Sequence, residues 1–385
     1  MSALPILFWF CVAGVFYIYA GYPLLVGLCA RLVPKPVQKA PNTFSATIII
    51  SIHNEAPRLA AKLRNILAGN GSDRIVQLLI GSDGCTDHPE IALRELNDPR
   101  IHLVACPERR GKPSMLNDLI PQATGDILIM MDVRQRLDEQ ALTALLDNFS
   151  DPSVGVVSGE LVFERDASDT AAAGGIDAYW RYEKWIRDRE ARFGSVPGAT
   201  GALYAIRRER TRPIPADAAL DDVLLPMLAI AQGVRCVFEP AARIYDRPAQ
   251  DAHREAIRKR RTLAGNVQLL RYHPLWCLPG GHPIWWQFAS HKIARLFSPF
   301  LLVGALATSL ALAAHPLFLA FALAQIAAWS LAMLHRWNIG PRSGSLGRLA
   351  GWLSVFLIMQ VNILLAWWDG LTARNLARWK KAEAG

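Results

Sequence analysis

The sequence predicts an α/β domain, built on a parallel β-sheet with helices on both faces and carried between apolar membrane segments. Three observations predict it. Between residues 40 and 275 short apolar runs alternate with amphipathic stretches. Both ends of the chain are apolar over lengths that suit a bilayer. The six cysteines and nine histidines are dispersed, with no C-x-x-C and no metal-ligand spacing that would organise the fold in another way.

The elements follow in order. Residues 5–30, "PILFWFCVAGVFYIYAGYPLLVGLCA", carry no charge and are long enough to span a hydrocarbon core roughly 30 Å thick. The basic residues Arg31, Lys35 and Lys39 follow this run, where a cleaved signal peptide would have them first, so it reads as an anchor. The positive-inside bias then places residue 31 onward in the cytoplasm, and unpaired thiols suit that reducing compartment. The stretch 34–41, rich in Pro and Lys, is the boundary between anchor and domain.

"ATIIISI" (46–52) reads as a first strand, rich in β-branched residues. "PRLAAKLRNILAG" (57–69) sets Leu59, Leu63, Ile66 and Leu67 on one helical face. "VQLLIGSDG" (76–84), "IHLVA" (101–105) and "DILIMMD" (126–132) read as further strands, with a helix from Lys112 carrying Pro113 in its first turn. In such sheets ligands bind at the carboxyl ends of the strands. The polar residues at those ends are His53-Asn54-Glu55, Asp83 and Asp132, so three carboxylates converge on one edge. Each alone could be a turn or helix cap; the set points to a site. No sequence ending in G-K-[ST] occurs and no G-x-G-x-x-G follows the first strand, which argues against a P-loop NTPase and a dinucleotide oxidoreductase.

Toward the C-terminus, residues 276–297 hold Trp276, Trp285, Trp286, Lys292 and Arg295, a composition that suits the headgroup layer. Apolar runs return at about 297–314, 317–334 and 350–368. Arg336, Arg342 and Arg348 call for a cytoplasmic loop, and so does the basic tail from Arg374 to Lys381. The two demands conflict if 350–368 is a simple span; a re-entrant or interfacial segment is the favoured way out. The expected organisation is an anchor (1–33), a cytoplasmic domain (40–275), an interfacial segment (276–296), C-terminal apolar helices (297–370) and a basic tail (371–385).

Five segments, "TIIISIHNE", "LLIGSDGCTD", "GKPSMLNDLIPQATGDILIMMD", "GATGALYAIRR" and "DDVLLPMLAIAQGVRCVFEP", resemble the successive motifs of family 2 glycosyltransferases across about 46–265. The flanking apolar segments are similar to those of the membrane-bound branch that includes cellulose, hyaluronan and poly-N-acetylglucosamine synthases. The resemblance implies a GT-A fold, a nucleotide-sugar donor (UDP-linked in much of the branch), Mg²⁺ or Mn²⁺, and inversion at the anomeric carbon. It implies that Asn54, Glu55, Asp83 and Lys112 line the donor and that Asp132 holds the metal. It makes Asp222 the general base, with Asp221 as runner-up, and puts Arg258 and Arg261 toward the diphosphate. Gly198, Thr200, Gly201 and Ala202 would line the acceptor, a glycan or a lipid-linked group, and a synthase or export partner is conceivable.

The chain departs from the family pattern at two points. Arg134 stands where the second acid of D-x-D is usual; it either faces a phosphate or is a solvated residue at a helix start. Thr262 replaces the aromatic of Q-x-x-R-W, which puts processivity in doubt. Tyr179, Trp180 and Trp185 could stack on acceptor sugars or pack on the sheet or the membrane surface. The basic run Arg254 to Arg261 comes with no nucleic-acid recognition fold, so anionic lipid is its expected neighbour beyond the site. The contrasting reading is a catalytically inactive relative serving as a membrane scaffold or synthase subunit.

Overall fold

The computed structural model describes residues 3–94, 96–164, 173–247, 252–340, 343–372 and 376, with side chains omitted at 173–179 and 252–258. Helix α1 (Ala3–Phe16) passes through a π-helical turn, Tyr17–Gly21, into α2 (Tyr22–Leu32). The linker after it hugs the domain: Lys35 N donates to Arg192 O at 2.7 Å and Gln38 N to Asp151 Oδ2 at 3.2 Å.

The domain then runs β1 (Ala46–Ile52), α3 (Ala56–Leu67), β2 (Ile75–Asp83), α4 (Pro89–Arg94), β3 (Ile101–Cys106), α5 (Lys112–Leu119), β4 (Ile127–Met131) and β5 (Arg136–Leu137). It continues with α6 (Ala141–Leu146), β6 (Val154–Phe163), α7 (Ala173–Phe193), β7 (Leu203–Arg207), α8 (Asp221–Ile230), β8 (Arg235–Asp246) and α9 (Ala252–Tyr272). The sheet order is β3-β2-β1-β4-β7-β6-β8-β5. Strands β3, β2, β1 and β4 are parallel, and β7 joins β4 antiparallel, so the sheet is mixed and only one half matches the expected parallel array. The sequence expectations stop at β4, and strand–helix alternation continues beyond it as β5, α6, β6 and α7, so alternation alone does not reveal that β7 returns antiparallel.

Both faces of the parallel half are covered, which is why its strands are continuous apolar runs rather than alternating ones. Ile48, Ile50, Leu78, Ile80 and Ile129 pack on one side with α3 and α6. Ile49, Leu79, Leu128 and Met130 pack on the other with α5, α8 and α9. Burying the branched side chains of β1, β2 and β4 at about 25 cal/mol per Å² is the main force fixing this half.

After α9 the chain makes a 3₁₀ turn, Pro274–Cys277, then the short α10 (Trp285–Gln287). It proceeds through a π turn (Phe288–Ile293) and a 3₁₀ turn (Ala294–Phe297) into α11 (Ser298–Ala311). Trp285–Ala311 is thus one helical run, and Gln287, Phe288, Ser290 and His291 within it are buried. Helices α12 (Pro316–Arg336) and α13 (Gly344–Thr372) complete the described chain. Among the described residues, four helices are long and apolar enough to cross a membrane: 3–32, 285–311, 316–336 and 344–372.

The stretch expected to be re-entrant is an unbroken helix of 29 residues. Its C-terminal end is tied to the domain. Arg260 grips Asp369 with two bonds of 2.5 and 2.6 Å, and Arg271 Nη1 donates to Gly370 O at 2.8 Å. The C-terminal end of α13 therefore lies beside the domain.

Candidate active site

The carboxyl ends of the parallel strands place the donor-edge residues together. Asp83, 3% exposed at the tip of β2, accepts from the backbone N–H of Arg110 (2.6 Å) and of Gly111 (2.8 Å). Its carboxylate thus holds the loop that opens α5, and His53 Nδ1 lies 2.7 Å from its carbonyl oxygen. Asn54 sits in left-handed backbone, φ 53°, with Oδ1 accepting from Thr86 N at 2.9 Å. Asp87 Oδ2 accepts from Ala56 N at 2.7 Å, and Glu55 takes Arg58 at 2.6 Å. These bonds weld the β1 and β2 ends into one rim. Asp83 and Asn54 are committed to building that rim.

The loop held by Asp83 delivers Lys112 to the centre. Its Nζ lies 3.2 Å from Asp132 Oδ1 and 3.3 Å from Asp221 Oδ2. Lys112 therefore bridges the tip of β4 and the first turn of α8. Burial alone would push its pKa down, but the charges of Asp132, Asp221 and Asp222 outweigh burial and hold it above the ordinary lysine value. Asp132 answers in kind: burial pushes it up, and Lys112, then Arg134 and Arg261, hold it below the usual carboxylate range. Arg261 is thereby brought into electrostatic reach of the acids. The side chain of Arg258 lies outside the described residues.

Asp222 differs. Burial, and then the charge on Asp221, push its pKa up to about 6 against the pull of Lys112, Lys292 and Arg261. Two adjacent acids in the first turn of α8 thus take different roles. Asp221 is engaged with Lys112, whereas Asp222 keeps a carboxylate of enhanced basicity. Neither caps the helix, since the N-cap is Leu220 and makes no side-chain bond.

The loop 195–202 wraps this base. Ala199 N donates to Asp222 O at 2.7 Å and Thr200 N to Ser158 Oγ at 2.9 Å. Gly198 takes φ +104°, and a Cβ on Gly201 would stand 2.7 Å from Asp222 Oδ2. Ala202 O receives Asp132 N at 3.3 Å, tying the loop back to β4. Of the four loop residues expected near an acceptor, Gly201 stands against Asp222 and Gly198 against the adjoining Val223, while Thr200 bonds Ser158 and Ala202 bonds Asp132.

Arg134 pairs its guanidinium with Asp246, at the end of β8 and 6% exposed. Gln135 Nε2 adds a bond to the same carboxylate at 3.3 Å. It neutralises an acid that sequence reasoning missed, because Asp246 lies 112 positions away. Arg134→Ala should leave the Asp246 charge unpaired at a cost of about 1–3 kcal/mol. A thermal scan in detergent should show the loss as a drop of a few degrees; an unchanged midpoint would reject the pair's structural role. Beneath it, Lys62 donates to Gln135 O at 2.8 Å, and burial pushes its pKa down to about 8 against the charge of Asp132.

The aromatic helix α7 uses its charged side, not its tryptophans. Trp185 packs against Gly27 of α2, and Trp180 meets Phe163 edge-on at 5.4 Å between centroids; Tyr179 lies outside the described side chains. Arg187 instead reaches the loop, donating to Thr200 Oγ1 at 2.9 Å and Ser158 Oγ at 2.6 Å. Glu183 and Glu190, at i−4 and i+3 on the same face, clasp His291: Nε2 lies 3.0 Å from Glu183 and Nδ1 2.9 Å from Glu190. Arg295 also bonds Glu183, and Tyr22 of α2 donates to Glu190. The i, i+4, i+7 spacing of Glu183, Arg187 and Glu190 was the available signal, masked by the surrounding aromatics. A separate surface cavity of about 420 Å³, lined by Phe44, Asp126 and Arg207, lies toward the opposite ends of the strands.

A mixed sheet of this order, with acids gathered at the ends of β2 and β4 and at the start of α8, defines the GT-A architecture. The chain carries a family 2 glycosyltransferase domain: residues 47–212 match the family described as "Glycosyl transferase family 2". Among curated relatives, an N-acetylglucosaminyltransferase of Rhizobium sp. (strain N33) is 24% identical over 250 residues, 60% of this chain and 55% of that protein. A poly-β-1,6-N-acetyl-D-glucosamine synthase of Staphylococcus aureus is 24% identical over 203 residues, 51% of this chain and 48% of that protein. The chain spans about half the length of these relatives. Among solved structures, a mannosyltransferase, PcManGT from Pyrobaculum calidifontis in complex with GDP-Man and Mn²⁺, superposes with a TM-score of 0.70 at 24% identity, covering 96% of this chain and 100% of that one. At that identity the likeness speaks for the fold.

Proposed function

We propose that this protein transfers a sugar from a nucleoside diphosphate donor, UDP-linked by preference, to a membrane-associated or polysaccharide acceptor, with inversion. The observation that carries the reading is Asp222, enclosed by the acceptor-side loop and raised to about 6, across Lys112 from Asp132. At neutral pH it is ionised and still basic, as a general base must be. Asp222 takes the acceptor's proton while the diphosphate departs on the other face of the sugar. Lys112 and Arg261 supply positive charge where the leaving group develops its negative charge. The relatives' names support sugar transfer and polysaccharide synthesis; orientation with the domain in the cytoplasm rests on the basic residues after α2.

A divalent ion, Mg²⁺ or Mn²⁺, fits this site only together with the donor. Among the described residues no group of three His, Cys, Asp or Glu could hold a metal. Asp132 offers one carboxylate, with Oδ1 shared with Lys112. One or two carboxylates are enough for Mg²⁺ when phosphates and water complete the shell. Asp132 would hold the ion, which would act as a Lewis acid on the diphosphate. Titration calorimetry should accordingly detect metal binding with nucleotide present and little below millimolar metal without it; tight binding to the protein alone would contradict this site.

The test of the whole reading is a panel of UDP- and GDP-sugars offered to the detergent-purified protein, with product masses recorded. Turnover of one donor supports transfer. No turnover of any donor, with intact fold, favours the scaffold alternative.

A further inference from the structure

Helix α8 begins without a side-chain cap of its own, since Leu220 makes no such bond. Its entry is held from outside, by α9. Gln268, 6% exposed, accepts from Ala219 N at 2.8 Å and donates to Asp217 O at 2.9 Å. One amide thus brackets the chain just ahead of the pair Asp221–Asp222. Tyr272, one turn further along α9, donates to Asp217 Oδ2 at 2.6 Å and receives Gln268 Nε2 at 3.1 Å. Burial, and then the bond to Asp217, push its pKa up to about 12, so it stays a protonated donor. Gly265, one turn earlier, permits a close approach: a Cβ there would stand 2.5 Å from Leu220 Cγ and 3.1 Å from Ala219 Cβ. Positions 265, 268 and 272 share one helical face by their i, i+3, i+7 spacing. That face is a template for residues 217–220. The template is itself seated on α13, by the bonds of Arg260 and Arg271 and by Gly370, where a Cβ would stand 2.6 Å from Val267 Cβ.

We propose that Gln268 is a positioning residue for the transfer reaction, fixing the start of α8 and with it the place of Asp222. This rests on the sugar-transfer reading above. A general base must stand within hydrogen-bond reach of the proton it takes, and about 1 Å of displacement can cost about 10²-fold in rate. The acceptor-side loop holds Asp222 from one side, through Ala199 N on its carbonyl oxygen. Gln268 holds the chain that leads into it from another. With Gln268 removed, Ala219 N and Asp217 O lose a buried partner, and the segment must shift to find others. Asp222 moves with it, because Val223 N and Leu224 N on its far side both bond Leu220 O.

The experiment uses the full chain in detergent, with the donor found in the panel. Gln268→Met keeps the length of the side chain and removes both backbone bonds. Tyr272→Phe removes the phenol oxygen alone, and decides the matter should Gln268→Met fail to fold. Turnover is read together with hydrogen–deuterium exchange by mass spectrometry. In Gln268→Met, kcat should fall about ten- to a hundredfold with the donor Kd unchanged. The acidic limb that Asp222 gives kcat/KM should leave its wild-type position, and the amides of 219–224 should exchange faster. Tyr272→Phe should show the same changes at smaller size. A merely structural role would lower the unfolding midpoint and leave kcat and the acidic limb where they are; that result overturns the proposal. Unchanged exchange at 219–224 in Gln268→Met overturns it as well. If the wild type turns over no donor, the sugar-transfer reading fails by itself, while faster exchange at 219–224 still upholds the hold of Gln268 on the start of α8.

Discussion

Asp222→Asn should lower transfer by about 10²- to 10⁴-fold, the usual worth of a general base, with the donor Kd unchanged. The wild-type kcat/KM should carry an acidic limb. Asp222 works deprotonated, and its pKa stands at about 6, so activity is full above that value and falls about tenfold per pH unit below it. The variant's residual rate should lose this limb. A variant that keeps transfer, or a wild-type limb near pH 4, would remove Asp222 from the role.

The same substitution should make the protein more stable. An aspartate whose folded pKa lies above its unfolded value near 3.8 costs stability once it ionises. The cost sets in as pH rises between those two values and is complete above about 6. The gap corresponds to roughly 3 kcal/mol at most. A neutral amide escapes the burial cost and the repulsion from Asp221, so the unfolding midpoint at pH 7.5 should rise by several degrees. Lost activity with gained stability is the signature of a charge kept for chemistry. A fall in the midpoint would instead mean that Asp222 is held mainly by attraction to its cations.

What could be read beforehand follows from the range of the forces involved. Strands β1, β2 and β4 lay open in the sequence because buried strands must be apolar throughout and end where the chain reaches solvent. Lys112 and Asp132 stood at those ends, and their pairing needs only that β4 follow α5. Arg134 could not be understood in the same way. Its local sequence fits a phosphate ligand and a solvated helix start equally well, and the deciding partner, Asp246, is set by the pairing of β5 with β8. Arg187 was hidden for a related reason. An amphipathic helix shows which faces differ, but not which one meets the site, and α7 gives Trp185 to the anchor helix and Arg187 to the acceptor loop. Residue 292 drew attention as a lysine at a membrane surface; only the fold of 285–297 against α7, pinned by His291 and Arg295 on Glu183, brings its charge within reach of Asp222.

Gly201→Ala should be almost as damaging as loss of the base itself. The added methyl would stand 2.7 Å from Asp222 Oδ2 and 3.2 Å from its Cγ. Contacts under 3.0 Å do not persist, so one side must move. The loop has little freedom: Ala199 is bonded to Asp222 O, Thr200 to Ser158, and Ala202 to Asp132. Gly198 occupies backbone that other residues rarely adopt, which fixes the loop's entry. The Asp222 side chain is the softer partner and should rotate away. A displacement of about 1 Å at a reacting group can cost about 10²-fold, and kcat should fall by that order with donor affinity preserved. Unlike Asp222→Asn, this variant keeps its carboxylate, so the acidic limb should remain, moved as the new position changes the distance to Asp221 and Lys112. A Gly201→Ala protein with unaltered kcat would show that the loop can yield, and that the place of the base is not set by contact with residue 201.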